Sequence, residues 1–304
     1  MTEYTEYITP DGETYRFDTH DKFLLSETGL GMPPVSYITS RSPTQHGETV
    51  LDYRLGTRVI QLVHRRNACN REDYWANRDE LLDMIRPNRN GISTYNLGKL
   101  RKVFPDGSKR DIYVTIEQGP EFAARDTSRW DEWAFTETIR FIAHDPLFFD
   151  PVQKSANLTL ASNSGLTFPF SLPLLIEDDK INLTLTCTTE GTEDTFPNIV
   201  LTGPMSGVLV RNTNLDLEIS FNYNISDGEI VTIYLQPGNK RIISDLVGDI
   251  TGVGYGLSDL ATFRLAPHPK VTNGDNYIHF HGAGIASFGN TAISMNWYDR
   301  YIGL

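Results

Sequence analysis

The sequence predicts a mainly β protein with a β-rich, barrel-like N-terminal domain that holds one main α-helix and a C-terminal β-sandwich of the jelly-roll or galectin-like kind. The 304 residues, 39% of them hydrophobic, are enough for about two domains with a core each. Turn-forming Gly, Pro, Asn, Asp and Thr recur about every eight to twelve residues in the second half, as in a sandwich. Only one segment has the apolar spacing of a helix.

The segment 55–87 contains a predicted strand followed by that helix. In the strand, residues 55–64, Val59 and Val63 point to one face while Ile60 and Leu62 point to the other. Both faces therefore need cover, which predicts a strand in the interior of a sheet.

The helix begins after Asn70, a plausible N-cap with Asp73 three residues further on, and ends at Pro87. Its apolar residues form one stripe at helical spacing with Trp75 beside it: Tyr74, Leu81, Leu82 and Ile85.

The rest of the first domain, residues 1–151, is predicted to be extended. A hairpin over 7–17 turns at Pro10 to Gly12, and a strand over 133–142 places Glu137 on the same face as Phe135, Ile139 and Phe141. Further extended pieces cover 35–39, 97–104 and 111–118. Two prolines between 143 and 151 end the last strand and close the domain.

The second half begins with a connector over 152–167, rich in Asn, Ser and Thr, and continues as the sandwich domain over 168–304. No helix pattern interrupts its candidate strands, which supports two packed sheets. The apolar C-terminus is predicted to dock as a final strand. The candidate strands are 181–186, 198–203, 207–212, 215–222, 229–235, 261–265, 276–282 and 292–297.

The formal charge of −12 argues against a general nucleic-acid-binding surface, because phosphate contacts need a local excess of Lys and Arg. A basic cluster is interpreted as a solvated helix face with ion pairs at an interface; its members are Arg54, Arg58, His64, Arg65, Arg66, Arg71 and Arg78. The two cysteines, Cys69 and Cys187, form no metal or disulfide motif. No apolar run has the length of a membrane span, so membrane insertion is not expected.

The order and spacing of several short segments resemble the distal tail proteins of long-tailed, non-contractile bacteriophages. In the first domain these are the helix segment Asn77 to Leu82, Pro87, and the aromatic stretch with prolines from Phe141 to Pro151. The second half continues the resemblance at 196–203, 208–212, 227–228, 257–260, 274–276 and 300–303.

The resemblance implies a structural virion protein of the tail tip, made in the host cytoplasm, with no catalysis and no cofactor. Six copies are expected to form a ring of N-terminal belt domains, with the sandwiches outside, that joins the tail tube protein to the tip or hub protein. The tape-measure protein and then DNA would pass through its lumen, where acidic residues would resist sticking to DNA.

Ring closure needs contacts between two different patches, and edge strands of the N-terminal sheet are natural donors. The residues expected at this interface are Arg58, Trp75, Arg78, Trp130 and Trp133. For the tryptophans the alternative is ordinary core packing.

A second interpretation is a carbohydrate-binding sandwich that recognises host-surface glycans through exposed rings. Tyr255, Trp297 and Tyr298 are its candidates. If the chain is a tail protein, glycans or receptor-binding proteins would be further partners. The alternative for these three aromatic residues is that their rings are buried and the last strand is docked.

An enzyme is the third interpretation. His279 and His281 alternate on a predicted strand, but no third metal ligand stands at a telling distance. His144 and Asp145 precede Pro146 at a domain exit, where a capped turn is the simpler account. Gly29 and Gly31 lack the helix and Lys of a phosphate loop, so the chain is read as non-catalytic.

Overall fold

The computed structural model describes residues 3–87, 97–122, 133–159, 180–254, 258–283 and 291–304. The chain divides into two compact units, Met1–Pro151 with Tyr301–Leu304 and Val152–Arg300. Across the described ranges the structure is mainly β with one α-helix, which confirms the predicted fold class. None of the helices in these ranges has the length and apolarity needed to span a bilayer.

In its described residues up to position 151, the first unit contains the helix and ten strands. The helix, α1, covers Arg71–Ile85, and the strands, in chain order, are β1 (Tyr4–Ile8), β2 (Thr14–Arg16), β3 (Lys22–Thr28), β4 (Val35–Ser40), β5 (Thr49–Leu55), β6 (Arg58–Asn67), β7 (Gly98–Val103), β8 (Lys109–Gln118), β9 (Ala134–Ala143) and β10 (Phe148–Phe149).

The main sheet of this unit has the antiparallel order β2-β1-β7-β8-β9-β6-β3. The edge strand β3 contacts strands near the opposite edge through side chains, because Thr5 of β1 and Lys102 of β7 both donate hydrogen bonds to the Glu27 carboxylate of β3. The sheet is therefore curled, which gives the barrel-like shape expected for this unit.

Strand β6 lies between β9 and β3, inside the sheet as predicted. Ile60 and Leu62 are fully buried, whereas Val59 and Val63 are half-buried. The face with Glu137 is also buried, Glu137 itself at 5% exposure among Phe135, Ile139 and Phe141. One core cluster joins these residues to the buried face of α1.

The helix begins where the sequence indicates, since the Asp73 backbone N–H donates a hydrogen bond of 2.9 Å to Asn70 Oδ1. Tyr74, Leu81 and Ile85 are buried as predicted, together with Met84. The predicted stripe was too broad, however. Leu82 is 44% and Trp75 49% exposed, because both lie on the outer face of the helix.

The second unit is built from β11 (Lys154–Thr159), β12 (Lys180–Thr188), β13 (Asn198–Thr202), β14 (Ser206–Asn212), β15 (Leu217–Phe221), β16 (Ile230–Tyr234), β17 (Arg241–Ser244), β18 (Gly248–Asp249), β19 (Asp275–Ala283) and β20 (Ala292–Trp297). One sheet has the order β11-β20-β13-β16-β17-β18 and the other β12-β19-β14-β15. Buried residues from both sheets share one core cluster, so the unit is a β-sandwich.

Three features differ from the sequence-based expectations. Part of the expected connector forms β11, which pairs along β20. Residues 261–265 form no strand, and Leu265 makes only an isolated bridge to Thr195. The chain does end in a short strand, β21 (Arg300–Tyr301), yet Tyr301–Leu304 belong to the first unit, where Arg58 holds the carbonyl of Ile302.

Candidate interaction surface on the first unit

Strands β4 and β5 form a hairpin that pairs with no other described strand. Tyr37 lies opposite Tyr53, and the register shifts by one residue after Ile38. At the base of the hairpin, the Gly56 N–H donates a 2.7 Å hydrogen bond to the Pro34 carbonyl oxygen. At the tip, Gln45 bonds to Thr49 at 2.8 Å. The hairpin thus has its own hydrogen bonds but no neighbouring strand within the described ranges.

The hairpin is amphipathic. Residues directly opposite in an antiparallel pair point to the same face, so Tyr37 and Tyr53 share a face with the pair Val35 and Leu55. Val50 is on this face too, because it pairs with Thr39, two residues beyond Tyr37. The opposite face carries Ser36, Ile38, Asp52 and Arg54.

The apolar face is open to solvent. Tyr37 is 64%, Val50 60% and Tyr53 48% exposed, and Leu51, at the register shift, is 64% exposed. Single exposed apolar residues are ordinary, but a contiguous patch marks an interaction site. A two-stranded hairpin is also marginally stable alone in water. The face therefore fits a partner that covers it.

A second exposed apolar surface lies along the outer face of α1. The Arg78 guanidinium carbon is 3.9 Å from the ring centre of Phe122 and 4.8 Å from that of Trp75. Arg78 thus makes cation–π contacts with both rings, and its charge lies over apolar surface.

A groove with a volume of about 570 Å³ continues this surface towards the C-terminal end of α1. Asp79, Asp83 and Arg86 are its charged lining residues. Its apolar lining is formed by Leu82, Ile85, Pro87, Ile116 and Pro120. A groove of this size, apolar with a few charges, is typical of binding sites.

The expected interface residues do not lie in one place. Trp75 and Arg78 are together on the outer face of α1. Trp133 is half-buried, with its ring 6.0 Å from that of Tyr74, and packs against the core. Trp130 lies outside the described residues.

Arg58 is internal, with 1% of its side chain exposed. Its guanidinium donates hydrogen bonds to four carbonyl oxygens, those of Gly29 (2.8 Å), Gly31, Pro146 (2.7 Å) and Ile302 (2.6 Å). Burial lowers its pKa to about 10, because the charged form loses its hydration. Arg58 is thus placed to hold chain segments together within the unit.

The basic cluster contains both surface and internal members. Arg54 and Arg71 are exposed. Arg66 is buried and pairs with Glu80 at 2.7 Å and Asp21 at 3.3 Å, so part of the cluster forms ion pairs inside the unit. The spacing of charges in the sequence did not distinguish the exposed arginines from the buried ones.

The glycan candidates do not form a described platform. Trp297 is 4% exposed and lies in the sandwich core, because Ile293, Met295 and Trp297 all point inward from β20. Tyr298 is 39% exposed, and Tyr255 lies outside the described residues. Trp297 therefore offers no ring face to a ligand, which corrects the expectation for this residue.

The residues considered as metal ligands or acid–base groups do not form a common site among the described residues. His279 and His281 point to the same side of β19, and among the described residues no group of three His, Cys, Asp or Glu is arranged to hold a metal. His144 and Asp145 are exposed. Cys69 is exposed in the first unit, and Cys187 is buried in the second, where burial raises its thiol pKa to about 12.

Sequence reasoning missed the hairpin as an interaction surface. It identified the extended piece 35–39 but not β5, and it began the next strand at Leu55. The signal was present, since Leu51, Tyr53 and Leu55 alternate with the polar residues Asp52 and Arg54 as in a strand.

No protein-family model matches the chain, and no curated protein matches its sequence. Among solved structures it is similar to the SPP1 Dit protein (gp 19.1), described as a paradigm of hub adsorption apparatus in Gram-positive infecting phages. The TM-score is 0.62 at 13% identity over 99% of each chain.

Two chains of the phage p2 baseplate in its activated conformation, with Sr and with Ca, align over 97% of this chain and 98% of those chains at 8% and 9% identity. Their TM-score of 0.44 does not establish a common fold. The similarity to the SPP1 protein extends through both units, as the resemblance found in the sequence implied. The chain therefore has a Dit-like fold.

Proposed function

We propose that the chain is a structural protein of a phage tail tip, a distal tail adaptor whose copies form a hexameric ring between the tail tube and the tip hub. The observation that carries this proposal is the fold shared with the SPP1 Dit protein over 99% of both chains. A match confined to one unit would have fitted many sandwiches and barrels, since common folds host many functions.

Self-assembly of the first unit, the belt domain of residues 1–151, is supported by its uncovered apolar hairpin. A cyclic ring of identical chains uses two different patches on each copy. The hairpin and the outer face of α1 supply two such patches within this unit. No catalytic step is part of the proposal.

The adaptor would contact the tail tube protein, the hub protein and the tape-measure protein, with DNA passing through the lumen. The sandwich domains would project outward, where receptor-binding proteins or host glycans are the proposed contacts. The net charge of −12 per chain fits a lumen that does not retain DNA. A ring lumen lined mainly by Lys and Arg would contradict that last point.

The native mass of the purified chain, with negative-stain images of the same sample, tests the proposal. Six copies of the 34.3 kDa chain, about 206 kDa in total, are expected as a ring with a central hole. The proposal would be contradicted if the purified chain were monomeric at every concentration and remained monomeric after tube or hub protein was added.

A further inference from the structure

The 301–304 segment follows the second unit in the chain but lies in the first unit, where backbone contacts hold it. The Ile302 carbonyl oxygen accepts a 2.6 Å hydrogen bond from the Arg58 guanidinium. The Leu304 backbone N–H donates a 3.1 Å hydrogen bond to the Leu30 carbonyl oxygen. Strand β21, where the segment begins, pairs with β10. Extended peptides that bind to proteins make main-chain contacts of this kind.

The first unit also selects the residue types of the segment at two positions. The Arg110 guanidinium carbon is 3.3 Å from the ring centre of Tyr301, and Arg110 Nη1 donates a 3.4 Å hydrogen bond to the Gly303 carbonyl oxygen. A Cβ at Gly303 would be 3.0 Å from the Gly31 carbonyl oxygen, so a larger side chain there requires the Gly31 backbone to move. The site therefore favours an aromatic ring at 301 and glycine at 303.

The last position of the segment is matched to an apolar cavity. Leu304 lines a small cavity whose other apolar walls are core side chains or pack against the core, namely Leu30, Ile60, Leu62, Leu100 and Phe148. An aliphatic side chain gains free energy when it leaves water for such surroundings. The site thus accepts an aromatic residue, glycine and an aliphatic residue in a fixed order.

The segment is held less firmly than the core strands. Tyr301, Ile302 and Gly303 are only half-buried, and Leu304 is 39% exposed. The chain reaches the segment through the second unit, so no neighbouring residue on the N-terminal side ties it to the first unit. A short, partly exposed segment opens locally at a lower free-energy cost than core strands do. Its site in the first unit is therefore open to exchange.

We propose that the cleft around Arg58 and Arg110 is a peptide-binding site that the chain's own 301–304 segment occupies as a reversible strap. When the strap leaves, the cleft takes a separate extended peptide with the same order of residue types: aromatic, aliphatic, glycine, aliphatic. Arg58 then bonds to the peptide backbone and Arg110 contacts the aromatic ring. The inference does not depend on the proposed ring, because all of these contacts lie within the first unit of one chain.

The test removes the strap and supplies it as a separate molecule. A shortened variant that lacks residues 301–304 is mixed with a fluorescently labelled synthetic peptide of residues 300–304, and fluorescence anisotropy measures binding. The shortened variant is expected to bind the peptide. The parent chain is expected to bind it at least about tenfold more weakly, because its own tethered strap competes at a high effective concentration.

Changes in the peptide and in the cleft locate the binding. A peptide with Gly303→Val is expected to bind about tenfold more weakly, because its side chain would press on the Gly31 backbone. Arg110→Met in the shortened variant is expected to weaken binding of the original peptide, since the contacts to the ring and to a carbonyl oxygen are lost. The matched control is Arg140→Met, which removes a partly exposed arginine of β9 paired with Glu117 and should leave binding unchanged.

Circular dichroism checks that the shortened variant is folded. If it is not, Tyr301→Ala/Leu304→Ala in the full chain replaces it, because this variant weakens the strap and keeps the bond from Arg58 to the Ile302 carbonyl. The peptide is then expected to bind more tightly than it binds to the parent chain.

Three results would overturn the proposal. The first is a folded variant that binds no peptide at about 1 mM, the order of concentration at which a tethered segment acts. The second is equal binding by the parent chain and the variant, since the peptide would then occupy a different surface. The third is a Gly303→Val peptide that binds as tightly as the original.

Discussion

The guanidinium of Arg58 donates a 2.6 Å hydrogen bond to the carbonyl oxygen of Ile302, 244 residues further along the chain. The same guanidinium bonds to Gly29, Gly31 and Pro146, so one buried side chain joins three distant segments to β6. Among the described residues Arg58 has no carboxylate partner in an ion pair, and its charge is compensated by carbonyl dipoles and by the Phe148 ring, whose centre is 4.7 Å from the guanidinium carbon. The C-terminal segment is thereby part of the first unit.

Replacement of Arg58 by Met is expected to lower the free energy of unfolding of the first unit by about 3–5 kcal/mol, because four buried carbonyl oxygens lose their donor. Urea unfolding followed by tryptophan fluorescence in a Trp297→Phe background measures this, since Trp75 and Trp133 report on the first unit whereas Trp297 lies in the second. The control Arg54→Met lies on the surface and is expected to change the value by less than about 0.5 kcal/mol. Equal effects of the two substitutions would show that the carbonyl bonds contribute nothing.

Two of those carbonyl acceptors belong to glycines with opposite tolerance for a side chain. Gly29 has φ +85°, and a Cβ there would be 2.0 Å from the Val59 carbonyl oxygen. At Gly31 a Cβ would meet nothing within 4 Å. Gly29→Ala is therefore expected to lose about 3 kcal/mol or more of unfolding free energy, from left-handed strain plus a backbone clash.

Gly31→Ala is the matched control and is expected to be neutral or slightly stabilising, because alanine restricts the unfolded chain more than glycine does. Thermal unfolding of both variants gives the comparison. A Gly29→Ala variant with the melting temperature of Gly31→Ala would contradict the close approach of Gly29 to β6.

Contacts between residues far apart in the chain, such as Arg58 and Ile302, also mark the limit of what the sequence predicts. The cap at Asn70 was predictable because it is local, and the sandwich strands were predictable because polar and apolar residues alternate along them. The docking of Tyr301–Leu304 in the first unit depends on partners far along the chain, and no local pattern encodes them.

The candidate surface was only half predictable for a related reason. The apolar spacing placed Leu82 in the buried stripe of α1. The width of a buried helix face depends on what packs against it, however, and Leu82 is 44% exposed. For Trp297 the signal was available, because Ile293 and Met295 share its side of β20 and mark that side as core. Hydrophobicity alone does not separate an interface from a core.

His64 predicts an acid sensitivity of the first unit. The ring is fully buried between Phe17 (5.5 Å between ring centres) and Tyr15 (5.9 Å), and neither ring nitrogen has a hydrogen-bond partner among the described residues. Burial, with smaller contributions from Arg66 and Lys22, lowers its pKa from 6.5 to about 4. The folded state therefore favours the neutral ring.

On acidification the unfolded chain takes up a proton at His64 before the folded chain does. The free energy of unfolding is thus constant above about pH 7 and falls by about 1.4 kcal/mol per pH unit between pH 6.5 and 4, about 3 kcal/mol in all. His64→Phe is expected to remove this slope, measured by urea unfolding from pH 4.5 to 7.5. The exposed His144→Asn is the control and should keep it.

Other titrating groups in contact with this region do not imitate the effect. Asp21 and Glu80 have lowered pKa values, so their contribution to stability is lost only as the pH falls below the ordinary carboxylate range, at the acid end of the His64 window. Burial raises the pKa of Glu137, which acts in the opposite direction. The difference between His64→Phe and the parent isolates the histidine, and an unchanged slope in the variant would contradict its role.

The two cysteines provide separate reporters for the two units. Cys69 is exposed just before α1, whereas Cys187 is fully buried in the sandwich core with its Sγ 3.4 Å from the Met295 sulfur. Only the thiolate reacts with a maleimide, and a pKa raised by burial to about 12 keeps the Cys187 thiol protonated. Native protein is therefore expected to add one label, at Cys69, within minutes, and the second only when the sandwich unfolds.

Mass spectrometry of labelled protein at increasing urea measures this, with Cys69→Ser to isolate the buried thiol. Arg58→Met should leave the urea midpoint for Cys187 labelling unchanged while it lowers the fluorescence midpoint of the first unit, because the residues involved belong to different units. A Cys187 midpoint that moved with Arg58→Met would mean that the two units unfold as one, and fast labelling of Cys187 in native protein would contradict its burial.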